Sequence, residues 1–199
     1  SLLFGLTQNF ERQRYFFYKN QQKFYKNKLF WFSIFESIKI NVMQKILKIV
    51  LVVAVCLTVG YFSGMETRES ITTWYPTLIK PIFNPPNWIF GPVWTLLYIM
   101  MGIAAGLVWT NSSEEQTTKK ALGFFAIQLG LNALWSYLFF GLHNPFLALI
   151  EIILLWLMIF ETYNLFKKIN KTAGILLLPY LAWVSFATIL NASIWWLNR

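Results

Sequence analysis

Five long apolar runs dominate this sequence and limit what the chain can fold into. They cover residues 46–63, 88–109, 121–140, 146–166 and 173–197. A helix needs about 20 mostly apolar residues to cross the hydrocarbon core of a bilayer. Each run reaches or approaches that length, so we predict an all-α integral membrane protein with a five-transmembrane-helix bundle. The domain that holds the bundle is predicted to cover residues 43–199.

The composition excludes most soluble enzymes and most metal sites. Hydrophobic residues make up 57% of the chain and charged residues 13%, whereas a soluble domain carries about 25% charged residues. There is one Cys (Cys56), one His (His143) and no Asp. A disulfide framework, most catalytic triads and zinc motifs of the HExxH type are therefore excluded. We predict no metal site and no resident cofactor.

Residues 1–42 differ in character from the rest of the chain. They carry seven Lys and Arg against two Glu, and twelve of them are aromatic, but they hold no apolar run of membrane-spanning length. We predict that this basic, aromatic-rich leader is not part of the fold. The alternative is a short amphipathic helix over residues 29–40 on an anionic membrane surface. No nucleic-acid-binding motif follows this segment, so we predict no nucleic-acid partner.

Positive charges are distributed unevenly between the two ends of the predicted bundle. The N-terminal end carries seven lysines: Lys45, Lys48, Lys119, Lys120, Lys167, Lys168 and Lys171. The other end carries Arg68, Lys80 and Arg199. Cytoplasmic loops of membrane proteins carry an excess of Lys and Arg. We therefore predict a cytoplasmic N-terminus, and an outside C-terminus and outside Pro-rich loop over residues 64–87, if the membrane is a bacterial inner membrane.

Polar side chains recur at helical spacing in two of the runs. The third run places three of them on one face: Gln128, Asn132 and Ser136. In the fifth run, Trp183 and Asn191 flank Ala187, whose small side chain leaves a notch beside the indole. Polar groups in hydrocarbon turn towards the bundle interior. Two interpretations stay open: hydrogen bonds between helices, worth about 1 kcal/mol each, or contacts with a flat aromatic ligand.

Two tryptophans bracket the first turn of the second run. Trp88 fits an aromatic belt at the level of the lipid headgroups. Trp94 lies six residues further on, about 9 Å deeper along a helix. A belt position suits Trp94 less well, so the sequence favours a pocket there.

Small residues four positions apart occur over residues 102–106 and 126–130. Such pairs allow two helices to approach closely. They serve packing within the bundle or association of two copies, and the sequence favours neither.

These motifs together resemble the translocator protein family, also called the tryptophan-rich sensory protein or TspO/MBR family, in its bacterial type. The similarity covers residues 43–199. The matching motifs occur in this order: Trp74-Tyr75, Lys80-Pro81, Pro85-Pro86-Asn87-Trp88, Phe90-Gly91-Pro92-Val93-Trp94, Tyr98, Gln128-Leu129, Leu131-Asn132, Trp135, Phe139-Phe140-Gly141, Pro179-Tyr180-Leu181-Ala182-Trp183 and Leu190-Asn191.

The resemblance implies a five-helix bundle, commonly a homodimer, with a ligand cavity under the loop between the first two spans. Family members bind porphyrins such as protoporphyrin IX, and many bind sterols and benzodiazepine-type drugs. Bacterial members regulate tetrapyrrole or stress responses. The ligand-binding residues implied here are Trp88, Trp94, Tyr98, Asn132, Trp135, Trp183, Ala187 and Asn191. Arg68 and Lys80, on the predicted loop above the cavity, are candidates to pair with ligand carboxylates.

Three functions stay open at this point. The first is a receptor or sensor that binds a porphyrin. The second is an enzyme that degrades porphyrin with light and oxygen, for which Trp94 and Trp183 are the candidate catalytic residues. The third is a transporter of porphyrin or sterol. No acid–base pair or nucleophile is visible, which favours the first function.

Two departures from the family pattern bear on the ligand. Phe83 stands where the family usually has Trp, so the stacking face remains but the indole N–H is lost. Ala192 stands at the Tyr position of the sterol motif of animal members. Tight sterol recognition is therefore not expected, and that motif is weak evidence in any protein.

Overall fold

Five long helices make up almost all of the described chain. The computed structural model describes residues 2–111 and 115–199. The helices are α1 (Leu2–Thr73), α2 (Asn87–Thr110), α3 (Glu115–Ser136), α4 (Pro145–Ile169) and α5 (Lys171–Leu197). Each is long and apolar enough to cross a bilayer. The predicted all-α, five-helix membrane architecture is confirmed.

The chain divides into two compact units, residues 1–44 and residues 45–199. In the first unit the described residues are helical, and the side chains of Trp31, Phe32 and Phe35 are exposed. The second unit holds the remainder of α1 and all of α2 to α5. That residues 1–42 lie outside the membrane fold stays a prediction.

The first helix is longer than the sequence predicts. A span over residues 46–63 and a loop over 64–87 are expected, but α1 continues to Thr73, and a 3₁₀ helix follows over Tyr75–Thr77. Residues 64–73 are rich in polar side chains, but the first proline of the region is Pro76. Nothing in the sequence therefore interrupts the helix as it leaves the hydrocarbon layer. Between the 3₁₀ helix and α2, turn and irregular structure covers residues 78–86.

Helices α2 to α5 pack in a fixed order, with α2 against α5, α5 against α4, and α4 against α3. Helix α1 lies beside α2. A Cβ atom added at Gly102 would lie 2.5 Å from Val53 Cα, and one added at Gly106 would lie 2.7 Å from Ile49 Cα. The small-residue pattern over 102–106 therefore serves packing within the bundle, because only glycine permits this approach.

Short connections join α3 to α4 and α4 to α5. A π-helical turn, Tyr137–Gly141, follows α3. The Asn144 side chain then caps α4 by accepting a bond of 3.1 Å from a backbone N–H, and Pro145 occupies the first helical position. Asn170 caps α5 in the same way, also at 3.1 Å. Such caps satisfy N–H groups that would otherwise be unpaired in or near the membrane.

Buried side chains form two clusters. The larger one joins the helices along their length and includes the fully buried Met101, Ile159 and Tyr180. The smaller one lies around Tyr75 and Phe139. Close packing rather than exclusion of water stabilises such contacts in a bilayer. Residues of both clusters border the cavity described next.

Candidate ligand-binding cavity

A cavity of about 470 Å³ lies within the bundle. Its lining comes from α1, α2, α3 and α5, together with the 3₁₀ helix and the π-helical turn. Most lining side chains are apolar or aromatic, and a few carry hydroxyl or amide groups. Small-molecule sites in proteins have volumes of about 300–1,000 Å³ and a similar lining. The cavity is therefore of the right size and chemistry for a ligand.

Three tryptophans from three helices form the aromatic wall: Trp94 of α2, Trp135 of α3 and Trp183 of α5. The ring of Tyr180 meets Trp94 edge-on, with centroids 6.2 Å apart. Phe90 meets Trp183 edge-on at 6.2 Å, and Phe139 stacks on Trp135 at 5.2 Å. Each indole is half-buried. These contacts fix the orientation of the indoles in a wall suited to a flat aromatic molecule.

A buried hydrogen-bonded trio joins three helices beside this wall. The Tyr98 hydroxyl donates to Asn132 Oδ1, and Asn132 Nδ2 donates to the Tyr180 hydroxyl at 2.9 Å. A primary amide has two N–H donors and an oxygen with two lone pairs. After these two bonds, Asn132 retains one N–H and one lone pair, and it lines the cavity. It can therefore bind a polar edge of a ligand while it holds α2, α3 and α5 together.

The roof is the segment over residues 75–84, which lies between α1 and α2 and contributes Tyr75 to the cavity lining. Tyr75 is 1% exposed and donates a hydrogen bond of 2.5 Å to Asn84 Oδ1. Burial raises the pKa of Tyr75 to about 12. Further along, the Ile79 backbone N–H donates to Asn198 Oδ1 and Asn198 Nδ2 donates to the Ile79 carbonyl, both at 2.9 Å. The roof is thus attached to the C-terminal end of α5.

The structure brings most of the predicted site residues to this one cavity. Those that line it are Arg68, Trp94, Tyr98, Asn132, Trp135, Trp183, Ala187 and Asn191. Their part in ligand binding stays a prediction, but their convergence is a property of the fold. Of the three polar residues predicted on one face of α3, Asn132 and Ser136 line the cavity, whereas the fully buried Gln128 does not.

Trp88 and Lys80 are predicted to contact the ligand, but neither lines the cavity. Trp88 lies in the first turn of α2 with 73% of its surface exposed, as an interfacial tryptophan would be. Lys80 is held over the ring of Tyr75, with its Nζ 5.0 Å from the ring centroid and 3.4 Å from the Pro76 carbonyl oxygen. Trp88 lies near the roof and Lys80 belongs to it, but neither side chain is directed into the cavity.

Sequence reasoning missed the contribution of α1. Its lining residues are Leu57, Gly60, Tyr61, Ser63, Gly64, Thr67, Arg68 and Ile71. The sequence predicts only Arg68 among them, because α1 has no tryptophan in this region. Gly60 is the one local signal, since a Cβ atom there would collide with the ring of Tyr98. A mid-span glycine indicates close approach of a neighbour, but not which neighbour.

Within the described residues, no group of three or more His, Cys, Asp and Glu side chains is placed to hold a metal ion. The chemistry available in the cavity is therefore stacking on indoles, hydrogen bonding to amide and hydroxyl groups, and one guanidinium. Arg68 supplies that cation, and its guanidinium carbon lies 5.3 Å from the ring centroid of Tyr61.

A protein-family model, described as the TspO/MBR family, matches residues 52–197. The chain belongs to the TspO/MBR family. All residues that line the cavity fall within the matched range. Membership, together with the five membrane-spanning helices, makes the chain an integral multi-pass membrane protein.

Relatives in this family come from bacteria, archaea and animals. The Tryptophan-rich protein TspO of Chlorobaculum tepidum is 43% identical over 155 residues, covering 78% of this chain and 98% of that protein. The protein of the same name from Archaeoglobus fulgidus is 45% identical over 155 residues, covering 78% and 99%. The Translocator protein of Bos taurus is 36% identical over 141 residues, covering 70% and 83%. The TspO/MBR similarity thus extends over nearly the full length of the first two relatives.

Proposed function

We propose that this protein is a membrane receptor or sensor that binds a porphyrin of the protoporphyrin IX type, or another flat hydrophobic molecule, within the helix bundle. Through that binding it would regulate tetrapyrrole or stress responses. The observation that carries the proposal is the convergence of Trp94, Trp135 and Trp183 on a single cavity of about 470 Å³.

The chemistry of the cavity supports this class of ligand. A porphyrin presents two apolar faces, pyrrole nitrogens and two carboxylates. Indole faces suit the ring, the amides of Asn132 and Asn191 suit polar edges, and Arg68 lies where it can pair with a carboxylate. Arg–carboxylate bonds are among the stronger hydrogen bonds that proteins form. A family relative from Cereibacter sphaeroides, 40% identical, is named Tryptophan-rich sensory protein, which agrees with a sensing role.

The second candidate is an enzyme that degrades porphyrin in light and oxygen. Its specific support is that Trp94 and Trp183, the two candidate catalytic residues, both line the cavity. Indoles are electron-rich and would be the redox partners, since the described lining offers no acid–base pair. Transport of a porphyrin or sterol ranks third, and its support is the name Translocator protein that the animal relatives carry.

The test is a titration of the full-length protein in lipid nanodiscs with protoporphyrin IX. Tryptophan fluorescence and porphyrin absorbance are followed in the dark and then under light with oxygen. Saturable quenching at micromolar porphyrin with a stable absorbance band supports the sensor. Quenching followed by light-dependent loss of the band supports the enzyme. No saturable quenching at micromolar porphyrin contradicts both.

We also propose that, if the membrane is a bacterial inner membrane, the N-terminus is cytoplasmic and the roof and C-terminus lie on the other side. The support is the excess of lysines at the N-terminal end of the bundle. Fusions of alkaline phosphatase and of a green fluorescent protein to the C-terminus test this in a bacterial host. Phosphatase activity without fluorescence is expected, and the reverse result contradicts the proposed orientation.

A homodimer is proposed as the assembly. The support is Gly130, which belongs to the second small-residue pattern and lies exposed on α3, where an added Cβ atom would meet no described atom within 4 Å. This face is free to approach a second copy, whereas the 102–106 pattern is already occupied by α1. Light scattering of the detergent complex should give a dimer for the native chain. A monomer at all concentrations contradicts the proposal.

A further inference from the structure

Helices α1 and α2 touch tightly at Gly102 and Gly106, whereas open space surrounds Gly64 and Gly91. Added Cβ atoms at Gly102 and Gly106 would collide with the backbone of Val53 and Ile49 on α1. Nearer the roof, an added Cβ atom at Gly64 of α1 or Gly91 of α2 would meet no described atom within 4 Å. Both of these glycines line the cavity. Open space therefore lies beside both helices near the roof, and this space is part of the cavity.

Side chains on both edges of this gap border the cavity and are exposed at the same time. On α1, Tyr61 is 56% exposed and Arg68 is also exposed. On α2, Gly91 and Thr95 are exposed. Every exposed residue of the cavity lining lies on α1 or α2: Tyr61, Arg68, Asn87, Gly91 and Thr95. This grouping indicates an opening between these two helices at the side of the bundle.

The side opening faces lipid, whereas the end of the bundle is covered. Gly91 and Thr95 lie four and eight residues into α2, about 6 and 12 Å beyond its first residue. That first turn carries the exposed Trp88, whose preferred depth is the headgroup region. The route from water passes the roof, which is held by the bonds between Ile79 and Asn198 and between Tyr75 and Asn84.

We propose that ligand enters and leaves the cavity sideways from the bilayer, through a lateral portal bounded by Tyr61, Gly64 and Arg68 on α1 and by Gly91 and Thr95 on α2. The inference rests on the proposed ligand-binding function. A flat hydrophobic molecule partitions into lipid, so the bilayer is its reservoir. Edge-on passage between two helices suits a thin disc. Arg68, at the rim, can hold an acid group of the ligand near the headgroups while the apolar ring moves inwards.

The test uses the full-length protein in nanodiscs whose lipid is preloaded with protoporphyrin IX. Stopped-flow tryptophan quenching gives the association rate, and transfer of bound porphyrin to empty lipid vesicles gives the dissociation rate. Gly64→Leu and Gly91→Leu fill the portal from either side. Thr95→Phe is a second means of narrowing it, at an exposed position where folding is not at risk. Ala182→Leu is the control, because Ala182 is exposed on α5 and does not line the cavity.

A narrowed portal raises the free-energy barrier to both entry and exit of the ligand. We expect association and dissociation both to slow by about tenfold or more, and Ala182→Leu to behave as the native chain. Unchanged rates in all three portal variants, with normal binding by the native chain, overturn the portal and leave the proposed function standing. Faster dissociation alone, with weaker binding, also overturns it, because that pattern reports damage to the cavity. Absence of binding by the native chain overturns the proposed function and the portal with it.

Discussion

The indole Nε1 of Trp135 donates a hydrogen bond of 3.0 Å to Asn191 Oδ1. From its other end, the Asn191 amide donates through Nδ2 to the Pro145 carbonyl oxygen at 2.8 Å. Asn191 is 1% exposed, so one buried side chain links α3, α4 and α5. The tryptophan on the cavity wall is therefore oriented by the same amide that ties the helices together.

Replacing this amide should destabilise the bundle. Asn191→Leu keeps a similar size but removes two interhelical hydrogen bonds and leaves the Trp135 N–H unpaired. We expect a loss of about 1–3 kcal/mol in the free energy of unfolding, measured by circular dichroism in mixed detergent micelles. Ser193→Ala, at a half-buried site whose hydroxyl bonds within α5, should change the stability by less than about 0.5 kcal/mol. Equal stabilities for the two variants would refute the linking role of Asn191.

The contact between α1 and α2 requires glycine at position 102. In Gly102→Ala the new Cβ atom would lie 2.5 Å from the Val53 Cα, which is backbone and cannot rotate away. We expect a destabilisation of about 1–3 kcal/mol from overpacking. Gly64→Ala is the control, since its Cβ atom would meet open space, and it should be neutral or stabilising by up to about 1 kcal/mol. Thermal unfolding in the same detergent compares them, and a Gly102→Ala protein as stable as the control would contradict the close approach of the two backbones.

Arg68, and not Lys80, should pair with a ligand carboxylate. Arg68 lines the cavity, whereas Lys80 lies over the ring of Tyr75. We expect Arg68→Gln to weaken protoporphyrin IX binding by about fivefold, which corresponds to about 1 kcal/mol, and to reduce the salt dependence of Kd. Lys80→Gln should leave Kd within about twofold. Kd is measured by titration with protoporphyrin IX at low and high salt. A larger effect of Lys80→Gln than of Arg68→Gln would show that Lys80, not Arg68, pairs with the carboxylate.

Tryptophan-to-phenylalanine changes should separate binding from photochemistry. Trp94→Phe and Trp183→Phe keep a stacking face but remove the indole, so porphyrin affinity should fall by no more than about tenfold. If the protein degrades porphyrin, the light-dependent loss of the absorbance band should cease in these variants. Trp196→Phe is the control, because Trp196 is 57% exposed and does not line the cavity. Bleaching at the native rate in both cavity variants would exclude the two indoles as redox partners.

Alkaline pH should weaken the roof through Tyr75. Burial raises the pKa of Tyr75 from 10.0 to about 12. Because the folded state holds the phenol neutral more strongly than the unfolded chain does, this contribution to stability is complete below about pH 10 and is lost as the pH rises through about 12. The difference in unfolding free energy between the native chain and Tyr75→Phe should therefore shrink across that window. If the difference in unfolding free energy did not change with pH, the fold would not raise the pKa of Tyr75.

Much of the site follows from the sequence alone. The spacing of Trp183, Ala187 and Asn191 places them on one helical face, and polar residues in a span turn inwards, so their presence in the cavity follows from local rules. Trp88 and Lys80 show where those rules end. Trp88 directly follows the lining residue Asn87, and Lys80 lies five residues after the lining residue Tyr75. A side chain in a turn or in a first helical turn nevertheless points in a direction set by its tertiary neighbours. The contribution of α1 escapes sequence reasoning for the same reason.

The sequence by itself determined the number of spans and their helical form, because hydrophobic length is a local property of the chain. Only the tertiary structure decided that α1 packs tightly against α2 at Gly102 and Gly106 and leaves open space at Gly64 and Gly91. Helix packing depends on which side chains of two distant segments meet, and no single segment encodes that pairing. The cavity and the proposed lateral portal occupy this open space.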